Sequence, residues 1–155
     1  GPTPAPRLWC AGILVLGFFS AGSWLFAGET KGASAARFET VKVFLDSGAS
    51  PLAAWQAEVV VAVGDARIVG VGGGEHAAFR EPATYDPAAL RGGRIVLAAF
   101  STGKDLPKGR TRVATIHFEV RGADAPRYSV RADVVGDAAG RPVPATASLS
   151  KGDSE

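Results

Sequence analysis

Few residues in this chain are of a type and spacing that could do chemistry. Three consecutive glycines, Gly72, Gly73 and Gly74, lead into Glu75 and His76, and a glycine run can turn backbone N–H groups toward an anion. A phosphate cradle needs a helix N-terminus directly behind it. Here Pro82 and Pro87 interrupt the following stretch, and neither the Walker lysine nor the Rossmann glycine spacing is present. The segment therefore reads as a wide loop between strands. Of the two histidines, His117 stands two residues before Glu119 on an alternating pattern, so both side chains point one way and form a weak potential metal pair. Solvated strand faces commonly carry such pairs. No G-x-S-x-G, H-E-x-x-H or C-x-x-C motif occurs, and the single cysteine, Cys10, lies in an apolar run. Asp46, Asp65, Asp86 and Asp105 sit in turn contexts, where aspartate caps its own backbone. The expectation is a chain without a catalytic centre, cofactor or metal, and with no small-molecule ligand.

The elements that carry these residues follow a period of two. Val41, Val43 and Leu45 alternate with polar or exposed-face positions, as do Trp55, Ala57, Val59, Val61 and Val63. Ala114, Ile116, Phe118 and Val120 do the same, as do Tyr128, Val130, Ala132 and Val134. Strict alternation marks strands with one face buried and one wet. Glycine, proline and aspartate clusters punctuate the runs. Strands are predicted near 41–45, 54–63, 66–71, 94–101, 111–121, 127–135 and 143–149. Seven short strands with almost no helical periodicity predict an all-β sandwich over 39–149.

A family resemblance rests on four of these strands. Trp55-Gln56-Ala57-Glu58-Val59 is followed by Ile68-Val69-Gly70-Val71, then Gly93-Arg94-Ile95-Val96-Leu97-Ala98, then Thr111 to Val120 (TRVATIHFEV). Their order resembles the cohesin-type jelly roll, whose Q-x-E strand precedes a short valine strand and a closing strand with an x-F-x-V ending. The likeness covers about 53–121. It implies a cohesin-like jelly-roll β-sandwich, exported and non-enzymatic, that serves binding or scaffolding. Tyr85-Asp86-Pro87 falls after the glycine loop rather than directly after the Gln56 strand, so no dockerin contact carries over.

Ahead of the sandwich, residues 8–27 (LWCAGILVLGFFSAGSWLFA) carry no charge. At 1.5 Å per residue, twenty helical residues span about 30 Å, the hydrocarbon thickness of a bilayer. Trp9 and Trp24 sit near the two ends, where indoles favour the interface. Gly17 and Ala21 form a small-xxx-small pair through which another helix can approach. A signal peptide with a site at Ala33-Ser34-Ala35 competes with this reading, but the run is longer than a usual h-region. The predicted layout is an N-terminal flank (1–7), one transmembrane α-helix (8–27), a linker (28–38), the sandwich (39–149) and a polar tail (150–155). The run contains no histidine to ligate a chlorophyll, so in a pigment complex the chain would be a pigment-free accessory subunit.

A net charge of +2 gives no reason to expect nucleic acid as a partner. The basic excess is local: Arg91, Arg94, Lys104, Lys108, Arg110 and Arg112 face Asp105 alone within 91–112. Such a stripe, laid along a hairpin, would dock on an acidic protein surface or anionic head groups, or would serve as a solvated rim. Phe79 and Tyr85 are the aromatic candidates for a ligand loop. Together these features predict a single-pass membrane subunit with its sandwich in the periplasm, docking to other membrane-protein subunits and to the lipid bilayer. A bacterial photosynthetic reaction-centre and light-harvesting complex, or a respiratory one, is the kind of host implied. The alternative is a cell-surface cohesin-like module that binds a dockerin-type protein or a glycan.

Overall fold

The alternating runs form seven strands in a computed structural model that describes residues 1, 2, 4 and 35–152. They are β1 (Arg37–Asp46), β2 (Ala54–Val63), β3 (Asp65–Gly72), β4 (Arg94–Phe100), β5 (Arg110–Arg121), β6 (Arg127–Gly136) and β7 (Thr146–Lys151). Each expected strand is present; β1 starts four residues earlier than its alternation, and β7 starts and ends later. Residues 8–27, with Trp9, Gly17, Ala21 and Trp24, lie outside the described residues. Among the described residues, no helix is long and apolar enough to cross a membrane. The chain divides into two units, Gly1–Lys31 and Gly32–Glu155, and all the strands belong to the second.

The strands build a sandwich of two antiparallel sheets, an arrangement compatible with a jelly roll. One sheet has the order β3-β5-β1-β7 and the other β4-β2-β6. Odd strands occupy one sheet and even strands the other, so every connection crosses between layers. Val41, Val43, Leu45, Ile116, Phe118 and Val120 of the larger sheet meet Trp55, Ala57, Val59, Ile95 and Leu97 of the smaller one in a single core. Fully burying a side chain of this size stabilises the fold by about 1.5–3 kcal/mol. At one end of the core the Tyr128 hydroxyl donates to Glu39 Oε2 at 2.8 Å, and the Tyr128 ring lies 4.4 Å from that of Phe118. Burial and then this bond push the phenol above its ordinary range.

The ladders carry four irregularities, and the two in the β2–β6 ladder turn valines of the expected core face outward. In the β2–β6 ladder Gln56 faces Val134 while Ala57 faces Ala132, so Asp133 is an extra residue. A one-residue slip turns side chains to the opposite face. Val134, expected inside, is therefore 55% exposed, and Val135 is buried in its place. A second irregularity between Val61 and Val63 leaves Val63 outside as well.

The glycine run serves backbone packing. A Cβ on Gly73 would stand 1.7 Å from the Arg80 carbonyl oxygen, and one on Gly74 would stand 2.4 Å from that of Arg112. These glycines let the 73–93 segment fold back on itself and seat against the start of β5, where the Glu75 amide donates to the Arg112 carbonyl at 3.0 Å. The segment then covers one flank of the core, burying Phe79 and Ala83. Gly73→Ala should lower stability by roughly 1–3 kcal/mol, the usual cost of overpacking. Gly70→Ala, whose new Cβ would meet His117 at an ordinary 3.6 Å, should change it little. Thermal unfolding of the two variants checks the contrast, and equal melting points would refute it.

Candidate docking end

Register places six strand termini at one end of the sandwich. Asp46 pairs with Arg110 and Thr146, and Ala54 pairs with Phe100 and Gly136. The loops 47–53, 101–109 and 137–145 therefore cluster there. The β4–β5 loop is tied to the β1–β2 loop by backbone bonds: Leu52 N to Pro107 O (2.9 Å), Ser101 N to Ala53 O (2.8 Å) and Gly109 N to Gly48 O (2.8 Å). Side chains on this loop are thus presented from a fixed backbone.

Phe100 closes β4 and is 77% exposed, the most exposed large apolar side chain among the described residues. Two grooves flank it. One, of about 320 Å³, is lined by Ala53, Ala54, Thr102, Asp137 and Gly140. The other, of about 150 Å³, is lined by Pro82, Thr84 and Ala98 among others.

The cations expected along one hairpin divide into two groups. β4 and β5 belong to different sheets, so no hairpin joins them. Arg91 and Arg94 lie at the start of β4, about 20 Å from Phe100 at 3.3 Å per residue. Arg94 is paired with Glu58, which also lies 3.9 Å from Arg131. Lys104, Lys108, Arg110 and Arg112 share the Phe100 end. Arg112 is held in the scaffold, its amide donating to Glu75 Oε1 at 2.7 Å. Arg110 lies over the Phe44 ring at 3.7 Å, a cation–π contact. Among the described residues, Lys104, Lys108 and Arg110 have no salt-bridge partner.

Nearby acids are mostly spent on the backbone. Asp46 Oδ1 accepts from Gly48 N, and Asp137 Oδ1 accepts from the amides of Ala139 and Arg141, each at 2.9 Å. Asp105 Oδ2 is 3.7 Å from His76 Nε2. His76 Nδ1 in turn accepts from Ala78 N at 3.1 Å and caps the 3-10 turn Ala77–Phe79. The end of the Gly72–His76 motif thus lies against the β4–β5 loop.

Phe79, a candidate for the ligand loop, is 3% exposed and sits edge-on to Trp55 with ring centroids 6.5 Å apart. Tyr85 packs half-buried against the same core. The pair offers no exposed stacking platform, because the 73–93 segment turns its apolar side chains inward to close the flank. His117 is on the wet face as its alternation indicates, with Nδ1 3.2 Å from Thr40 Oγ1, while Glu119 pairs with Arg121 at 2.8 Å. No group of three potential metal ligands occurs among the described residues. Phe100 went unnoticed in the sequence because it follows the buried rhythm of β4 by only one position; the signal was an aromatic in the outward register beside a basic loop.

Comparison with protein-family models, curated proteins and solved structures finds no match in any of the three.

The wall of the larger groove depends on a charge. Hydrogen bonding from the Arg141 amide, with that from Ala139 and the Arg141 guanidinium, holds the Asp137 carboxyl below its usual range against a smaller effect of desolvation. A depressed folded value means that the stabilisation is present above the unfolded value, about 4, and is lost as pH falls through the folded one. The advantage of the native chain over Asp137→Ala in thermal unfolding should therefore be full at neutral pH and fade in acid. An advantage that persisted unchanged at pH 2 would contradict this assignment.

Proposed function

We propose that this chain is a non-catalytic, membrane-anchored docking subunit of a larger membrane assembly, with a cohesin-like sandwich held outside the cytoplasm. The observation that carries the reading is Phe100, exposed between two grooves and next to Lys104, Lys108 and Arg110. Water-exposed aromatics with neighbouring arginine are the side chains enriched at protein interfaces, where a few anchors supply most of the affinity. The uncharged run at 8–27 supports the anchor.

The chemistry of the end describes its partner. Three cations without ion-pair partners among the described residues call for acidic groups, and Phe100 calls for an apolar notch among them. An acidic surface of a neighbouring membrane subunit offers both. Arg131 and Arg141, by contrast, are engaged in pairing: Arg131 Nε donates to Asp133 Oδ1 at 2.7 Å, and Arg141 Nε lies 3.1 Å from Asp137 Oδ2. A photosynthetic or respiratory complex of a bacterial membrane is the host proposed.

Purification of the tagged full chain from native membranes in mild detergent should recover other membrane polypeptides with it. Phe100→Ala should weaken that association roughly 30-fold, the effect of an interface anchor worth about 2 kcal/mol. Lys104→Glu with Lys108→Glu should abolish it at low salt. Retention of the chain in the membrane pellet after an alkaline wash tests the anchor separately. Recovery with no other polypeptide, or association indifferent to Phe100, would overturn the docking role.

A further inference from the structure

The sandwich has four edge strands, β3 and β7 in one sheet and β4 and β6 in the other. An unpaired edge presents a row of N–H and C=O groups that can template pairing with another chain, and proteins normally blunt it. Three of these edges are blunted. Across β3, Arg91 N donates to Ile68 O at 2.7 Å and Ile68 N to Gly92 O at 2.9 Å. Across β4, Thr84 and Ala98 exchange both backbone bonds, at 2.8 and 3.0 Å. β6 is bridged at its end by Pro142 and by Val143 N donating to Val135 O at 2.9 Å, and the rest of it carries Arg127, Arg131 and Asp133.

β7 has none of these devices. Its sequence, TASLSK, contains no proline and no charge before Lys151, and its ladder with β1 runs without a bulge. The one ammonium is directed elsewhere: Lys151 Nζ donates to Pro126 O at 3.2 Å and lies 4.0 Å from Glu39 Oε2. Among the described residues, no loop hydrogen bond or isolated bridge reaches the outer side of β7. Gly152 N donates to Thr40 O at 2.7 Å. Bonded positions alternate along an antiparallel ladder, so Thr146, Ser148 and Ser150 spend their backbone groups on β1. Those of Ala147, Leu149 and Lys151 turn to the open side.

We propose that this edge pairs with the same edge of a second copy of the chain, antiparallel about a twofold axis at Ser148, so that the two larger sheets become one. The strand is complementary to itself in that register. Ser148 meets Ser148, Thr146 meets Ser150 and Ala147 meets Leu149, so hydroxyls face hydroxyls on the outer face and apolar side chains meet on the inner one. Lys151 falls opposite Ala145, and no like charges are opposed. A twofold contact of this kind closes and does not propagate into a fibre. A six-residue strand pair buries less than the roughly 1,000 Å² of a stable solution dimer, so the association depends on concentration.

Cysteine cross-linking of the full chain in detergent, at increasing protein concentration, tests the register. In a Cys10→Ser background, Ser148→Cys would stand opposite its own copy as a non-bonded pair, with Cα atoms about 4.5 Å apart and within disulfide reach. Mild oxidation should yield at least ten times more dimer from Ser148→Cys than from Ser129→Cys, which lies on the outer face of the other sheet. Adding Ala147→Pro removes only an outward amide and should reduce the yield to the Ser129→Cys level. Because that proline could also unfold the strand, Thr146→Lys with Ser150→Lys, which opposes like charges on the solvent face, should do the same. Circular dichroism and thermal unfolding establish that the variant scored is folded. Equal yields at the two cysteine positions would overturn the proposal, as would a folded variant that cross-links like its parent. So would a Ser148→Cys chain that stays monomeric, the result expected if the edge is reserved for a strand of another protein.

Discussion

Every connection in the sandwich crosses from one sheet to the other, and that constraint governs the rest of the structure. No two consecutive strands pair, so each ladder joins segments distant in sequence: β1 with β5 and β7, β2 with β4 and β6. Loop-closure entropy must be met before any ladder forms. The compensation is a core that both layers enter at once, with Trp55 and Leu97 from one sheet and Ile116 and Phe118 from the other. Crossing loops then pile up at the two ends of the sandwich, which is why the exposed aromatic and the basic loop are found at an end rather than on a sheet face.

The alternation of β1, of β2 as far as Val59 and of β5 from Ala114 onward was legible residue by residue because each stretch has one wet and one dry face. Val41, Val43, Leu45, Trp55, Ala57, Val59, Ile116, Phe118 and Val120 are all buried as their period indicates. What one sequence does not display is where a ladder gains a residue. The extra Asp133 is invisible to a period-two reading, since Val134 and Val135 are equally apolar, and only the partner strand decides which of them goes inside. The same reasoning applies to Gly73. A glycine run looks alike whether it exposes amides to a ligand or admits a carbonyl, and the approach of Arg80 that separates the two is a tertiary fact.

Charge clustering in sequence was a partial guide to clustering in space. Residues 91–112 hold six cations, but β4 passes along the length of the sandwich between the first two and the rest, so adjacency in the chain became separation by a strand. Arg94 was drawn into a pair with Glu58, and Arg112 into the seat of the 73–93 segment. Lys104, Lys108 and Arg110 are left at the tip because they lie in or beside a loop whose backbone is fastened from below. A fastened loop keeps its cations apart from the acids that cap neighbouring turns, and this gives three scattered positive residues the character of a surface.

The two flanks of the sandwich are finished differently, and the difference follows from loop length. The connection from β3 to β4 must return along the whole strand, and its excess chain covers Ile68 and Ala98 while inserting Phe79 and Ala83. On the opposite flank β6 and β7 are joined by a short loop that reaches only as far as Val135. Among the described residues no loop covers the rest, so that flank depends on the side chains of the edges themselves. β6 meets the need with charge and a bulge, whereas β7 carries small hydroxyl residues that neither repel another strand nor distort the ladder. Closing one flank with a long segment thus leaves the openness of the other to be decided by six residues.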